Sequence, residues 1–261
     1  MSIIREEKPH TLNQYITVIE SIRKNVGHTL WFRGSGKSDY LLRPSLYRNL
    51  KVKDIKELVE TEYKILIRFK QRSIPFHNAS LNNDLETLFL MQHYGIPTRL
   101  LDWTENPFIA LYFAVMSAKR NNFMNNAAVW ILDPTIWTAH ALLDNDAEIK
   151  SINDSEVIKY QPQNKYTLMP EKALPIYGSH NSQRIVSQRG VFVIFGSDKL
   201  SMQKQYLKYR FPADSLIKVT LNKRYLPNLL ESVLASGITE SVVFPDLDGL
   251  ASELRRIFGY G

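Results

Sequence analysis

The chain has 261 residues, 44% of them hydrophobic, with 33 Lys and Arg against 26 Asp and Glu, a net charge of +7 and no cysteine. That size suffices for one large core or two small ones, the missing thiols exclude disulfides and thiolate metal sites, and no apolar run reaches membrane-spanning length. The basic balance favours phosphate-bearing partners, nucleotide or nucleic acid, and a solvated basic surface reads the charge equally well.

From the start, MSIIREEKPH turns charged at once and does not read as a signal peptide; with no cysteine, this predicts a cytoplasmic protein. Thr11–Lys24 repeats Leu12, Tyr15, Ile16, Ile19 and Ile22 at helical spacing. Thr29–Arg33 is β-rich and meets Gly34, which predicts a strand reaching a tight turn. Asp54–Arg72 reads as a charged amphipathic helix with Leu58, Ile65, Leu66 and Phe69 inward. An apolar helix side (Leu85, Leu88, Phe89) stops at Gly95, and Pro97 blocks its continuation. The extended segment that follows carries Thr98, Arg99, Asp102, Trp103 and Thr104. Asn106-Pro107 then supplies a helix cap and first turn, and Phe108–Lys119 is apolar on nearly every side, so it must be buried.

Strand-like runs follow at Ala127–Leu132, Gly190–Phe195, Leu216–Leu221 and Ile238–Phe244. Helices are expected at Pro227–Ala235, stopped near Gly237, and at Gly249–Phe258, with loops and short elements between Leu142 and Tyr177. No repeat, linker or boundary divides residues 1–261. The order predicts a single α+β domain, and the lack of strand–helix alternation or a GxGxxG turn argues against a doubly wound sheet.

Arg33 ends a strand beside Gly34, where a ligand can approach the backbone and a guanidinium can clamp a phosphate through paired hydrogen bonds. An arginine satisfying a carboxylate in a turn accounts for the same residues. Ser35, Gly36, Lys37 and Ser38 lack P-loop spacing. Arg43 and Arg48 flank Tyr47 and suggest a basic, phosphate-facing wall. Asp102 lies between Leu101 and Trp103 and needs a partner to stay charged; Arg99 or Arg33 can serve, and the pairing can be purely structural. His93 has no HxH or HxxxH companion, so no metal site is expected, and Asp246 and Asp248 read as a turn and helix cap.

WFRG, LRPSLYR and MQHYGIPTRLLDWTENPFIALYFAV together resemble the FRG domain, a bacterial and phage family named for its Phe-Arg-Gly signature. The likeness covers residues 30–132. SQRGVFVIFG and GITESVVFPDLDGLA, within 180–261, are similar to segments that often follow in longer members. At a distance, this layout is similar to ADP-ribosyltransferases. That resemblance implies a twisted, partly split β core with the N-terminal helices packed on it. It also implies NAD as substrate, held by Arg33 and Gly34, with Arg43, Tyr47, Tyr94, Thr98, Arg99, Asp102, Trp103 and Thr104 as further binding candidates. Its late-strand glutamate matches Glu240 most closely, although Gln188, just before another strand, competes for the place; the alternation of Ile238 and Val242 also allows Glu240 to be a solvent-facing strand residue.

Such a set has a physical logic. Breaking the nicotinamide–ribose bond develops positive charge on the sugar, which a carboxylate stabilises before accepting the acceptor's proton. The activity implied is an NAD-dependent ADP-ribosyltransferase-like toxin or phage-defence effector. Its acceptor would be intracellular, RNA or DNA favoured over protein, and an antitoxin or other neutralising protein would be its partner. Two alternatives use the same residues: a non-catalytic nucleotide or nucleic-acid binding module, and a metal-independent nuclease with His93 and Asp102 as acid and base.

Overall fold

The structure, a computed structural model, describes residues 4–24, 26–49, 51–76, 81–162, 166–178 and 183–260. Residues 1–3, 25, 50, 77–80, 163–165, 179–182 and 261 of the expected single unit lie outside the described residues. The chain opens with β1 (Arg5–Glu7) and α1 (Leu12–Arg23), whose first turn Thr11 closes by accepting a hydrogen bond from the Gln14 amide at 3.2 Å. Tyr15, Ile19 and Ile22, repeated at helical spacing, are the residues α1 buries. β2 (Trp31–Ser35) follows, then α2 (Ile55–Ser73) capped by Asp54, and α3 (Asp84–His93) capped by Asn83. Gly95 ends α3 at φ +74, in the left-handed conformation. β3 (Leu100–Thr104) runs into α4 (Pro107–Lys119), where Asn106 accepts from the Phe108 amide at 2.9 Å and Pro107 occupies the first turn.

β4 (Ala127–Leu132), α5 (Pro134–Leu142), β5 (Lys150–Ser151) and α6 (Ser155–Ile158) come next. They are followed by β6 (Leu174–Tyr177), α7 (Gln183–Ser187), β7 (Gly190–Ile194) and α8 (Met202–Lys208). β8 (Leu216–Leu221), α9 (Leu226–Ala235), α10 (Glu240–Val243) and α11 (Leu247–Ile257) complete the described strands and α-helices. None of the described helices is long and apolar enough to cross a membrane.

The strands form one mixed, mostly antiparallel sheet in the order β1-β8-β4-β2-β3-β7-β6-β5; only the two outer pairs are parallel. Strand alternation sends Phe32, Val129 and Ile131 into a core with α1, α4 and α9, while Trp31 and Trp130 enter a second core with Leu58 of α2 and Trp137 of α5. A third cluster joins Leu66, Leu88 and Phe89 to Leu100, Ile176 and Phe192. α4 needs its all-round apolarity because it rests on β2 and β4 and is covered by α9.

Two sequence expectations are corrected. Ile238–Phe244 is not a strand: Thr239 is extended, and Glu240–Val243 forms the single turn α10. The outer edge of β8 is already paired with β1, so a β-branched run has no ladder to join there; Val243 buries itself in the α4 core instead. Gly34 is not a turn residue, since β2 continues through it to Ser35. A Cβ at Gly34 would stand 2.0 Å from the Ala110 carbonyl oxygen and 2.6 Å from the Ala114 nitrogen. The glycine is required by the close approach of α4.

Candidate functional site

β2 and β3 are neighbours in the sheet, yet they share one pair in register, Phe32 with Thr104. Beyond that pair the strands part, and a cavity of 340 Å³ opens beside them. Each wall follows from local sequence. β2 contributes Arg33, and β3 contributes Asp102 and Thr104. α3, halted by Gly95, presents Gln92 and His93 on its last turn. α4, started by Asn106 directly after β3, brings Phe113, Ser117 and, at its C-terminal cap, Arg120. α7 and the turn after it add Arg184, Ile185 and Gln188. Phe32, Phe89 and Phe192 make the apolar surface between them.

Hydrogen bonds fix the polar groups. The Arg33 guanidinium donates through Nη1 to the backbone carbonyl of Asp102, and the same nitrogen lies 4.0 Å from the Asp102 carboxylate. Gln92 Nε2 donates to Asp102 Oδ2 at 2.8 Å, and Gln92 is itself oriented by Thr98, whose hydroxyl donates to Gln92 Oε1 at 2.5 Å. The Thr104 hydroxyl donates to the Gln188 carbonyl at 2.5 Å and accepts from the Asn106 amide at 3.0 Å, which ties β3 to the end of α7. Gln188 Nε2 donates to the Val243 carbonyl at 3.0 Å. Arg184 lies over the Phe244 ring, 4.7 Å from its centroid, an arrangement that holds the guanidinium in place without neutralising it.

Among the described residues, three arginines face one carboxylate, which makes the cavity electropositive. Burial lowers the pKa of Arg33; Asp102 opposes that shift and the nearby Arg48 adds to it, although a guanidinium stays charged at neutral pH. His93 is lowered by burial and by the charge of Arg184, against the pull of Asp246, and is neutral at pH 7. The arrangement can therefore hold an anion, offer a neutral imidazole as proton acceptor, and stack an aromatic ring against phenylalanine.

Of the residues singled out in the sequence, Arg33, Gly34, His93, Asp102, Trp103, Thr104 and Gln188 line this cavity. The others lie elsewhere. Thr98 is buried behind Gln92. Arg99 does not pair with Asp102; it is fully buried and forms an ion pair with Glu62, with Nε at 2.8 Å from Oε2 and Nη1 donating to the Tyr160 carbonyl at 3.1 Å. Asp102 is not in apolar company either: alternation turns Leu101 and Trp103 into the core and leaves the Asp102 side chain 54% exposed towards the cavity. Tyr47 is a core residue whose hydroxyl donates to the Gly196 carbonyl at 2.7 Å. Tyr94 lies in a separate groove. Arg43 accepts, through its carbonyl, a 2.8 Å hydrogen bond from Arg48 Nε, and neither arginine lines the cavity. Glu240 is buried and held by Arg256 at 2.8 Å, outside the cavity lining. Asp246 caps α11 by accepting from the Gly249 amide at 2.7 Å.

Gln92, Arg120 and Arg184 were not singled out in the sequence. Arg120 reads there as an ordinary charged helix end, and Arg184 falls between recognisable motifs. The usable signal is position: Arg184 precedes Gln188 by one helical turn, so both meet the same surface.

Residues 28–122 match the family model of the FRG domain. That span contains Arg33, Gln92, His93, Asp102, Thr104 and Arg120, and ends before Arg184 and Gln188. No curated protein and no solved structure matches the chain.

Proposed function

We propose that the cavity takes NAD as substrate and that the chain is an ADP-ribosyltransferase-like enzyme, with the corresponding fold. The observation that carries this reading is the adjacency of β2, β3 and β7, which gathers Arg33, Thr104 and Gln188 at one cavity. These are the arginine strand, the hydroxyl-bearing strand followed by an apolar helix, and the late strand of that layout. Gln188, not Glu240, takes the late-strand place.

Arg33 and Arg184 supply charge-assisted hydrogen bonds suited to a pyrophosphate, with Arg120 at the rim. Phe113 or Phe192 offers a face for a nicotinamide ring. Asp102 is the carboxylate that lines the cavity, and its fixed position beside Gln92 allows it to stabilise positive charge developing on the ribose. His93, neutral, accepts the proton of the incoming nucleophile. The net charge of +7 favours a nucleic-acid acceptor. The role of toxin or phage-defence effector, kept in check by a neutralising protein, carries over from the family resemblance alone.

Incubation with labelled NAD and a bacterial extract tests the proposal. Label is expected on RNA or DNA with the wild type and with Glu240→Gln, and on nothing with Arg33→Ala or Asp102→Asn. A binding module without chemistry is the second reading, favoured by an amide, Gln188, where this chemistry calls for a carboxylate. Absence of both label transfer and nicotinamide release, with Arg33-dependent NAD binding retained, would establish it and overturn the first.

A further inference from the structure

A second concavity, 860 Å³ in volume, lies between α2 and the end of α3 and shares no residue with the cavity above. Its floor is apolar, made by Ile65 and Phe69 of α2 with Leu90 and Ile96. Phe76 and Tyr94 stand at its margin, 85% and 67% exposed. Contiguous apolar exposure of this kind marks an interaction surface.

The charges of the groove have one sign. Lys64, Arg68 and Arg72 follow each other at four-residue intervals along α2, a row about 12 Å long with about 6 Å between neighbours. Among the described residues, no carboxylate lines the groove. Glu62 and Asp84 are already engaged, by Arg99 and Lys70, and among the described residues none of the three cations forms an ion pair.

We propose that this groove docks an acidic amphipathic helix of a partner protein. A row of three cations over an apolar floor matches a helix with Asp or Glu at every fourth position beside a stripe of Leu, Ile or Phe. A single-headed fatty acid would satisfy one of the three cations, and a bilayer surface does not enter a concavity. The inference is independent of the NAD reading, because the two sites have separate linings.

Selection of random peptides of about 14 residues, roughly four helical turns, on the full chain tests it. The expected binders carry apolar residues at i, i+3 or i+4, and i+7, flanked by Asp or Glu. Their affinity falls about tenfold, equivalent to about 1.4 kcal/mol, with Arg68→Glu/Arg72→Glu, and also falls with Tyr94→Ser, which leaves the cations intact. Arg33→Ala binds the same peptides as the wild type, which separates this proposal from the nucleotide site. All the substituted groove side chains are exposed, so the variants keep the fold. Selection of basic or uncharged sequences, or of binders indifferent to the charge reversal, would overturn the proposal. So would saturable binding of laurate or of phosphatidylglycerol vesicles, or self-association of the chain, if the same reversal abolished it.

Discussion

Arg33 and Arg99 sit at comparable places, one on β2 and the other just before β3, and the surroundings give them opposite roles. Arg99 is fully buried, and its donors are consumed by Glu62, the Tyr160 carbonyl and the Met169 sulfur. Burial works against its charge, but Glu62 outweighs that and its pKa is raised. Arg33 keeps a quarter of its side-chain surface exposed, has one hydrogen bond among the described residues, and faces a cavity. An arginine with its fork occupied is a fastening; one with donors to spare is an instrument of recognition.

The largest expected effect sharpens this contrast on the structural side. Arg99→Ala strands Glu62 as an unpaired buried charge and should cost about 3–5 kcal/mol, read as a shift in the urea midpoint. Arg33→Ala should cost about 1 kcal/mol or less. Equal losses would break the comparison. Gly34→Ala comes next. Its methyl group would meet the α4 backbone, which cannot swing aside as a side chain can, so a loss of about 3 kcal/mol is expected in thermal or chemical unfolding.

On the recognition side, calorimetry with NAD should show Arg33→Ala losing about 1.5–3 kcal/mol of binding, the range of a hydrogen bond to a charged group. Glu240→Gln should bind NAD like the wild type, and a large loss there would return Glu240 to the site. The smallest effect is a pH dependence. The unfolded chain takes a proton on His93 near its ordinary pKa, before the folded chain does, so this residue withdraws stability as pH falls below about 6.5. NAD affinity should move the opposite way, rising as acid turns His93 into a further cation in the cavity. His93→Asn should flatten both trends.

The same two arginines show how far a sequence reaches. Helix ends were legible where their causes are local: Thr11, Asp54 and Asn106 each cap the helix they precede, and Gly95 closes α3. β4 was legible from its unbroken apolar run, and β8 from its β-branched and apolar residues around Lys218. Partner choice was not, because Glu62 lies 37 residues before Arg99 and only the packing of α2 brings them together. Ile238–Phe244 was misread for a related reason, since its strand-like composition says nothing about an edge already taken by β1. Arg33, Asp102 and Gln188 were legible as candidates through their motifs, whereas Arg120 and Arg184 join them only through the geometry of α4 and α7.

The single rung between β2 and β3 has a mechanical consequence. β2 is paired to β4 along five residues, and β3 to β7 along five, so the sheet consists of two plates whose one ladder pair is Phe32 with Thr104, supplemented by the hydrogen bond from Arg33 to the Asp102 carbonyl. The cavity lies in the crook of that joint. A molecule gripped by Arg33 on one plate and by Asp102 on the other acts as a brace across the joint. Its grip would stiffen the whole sheet, and amide exchange in β2 and β3 would slow far from the atoms it touches.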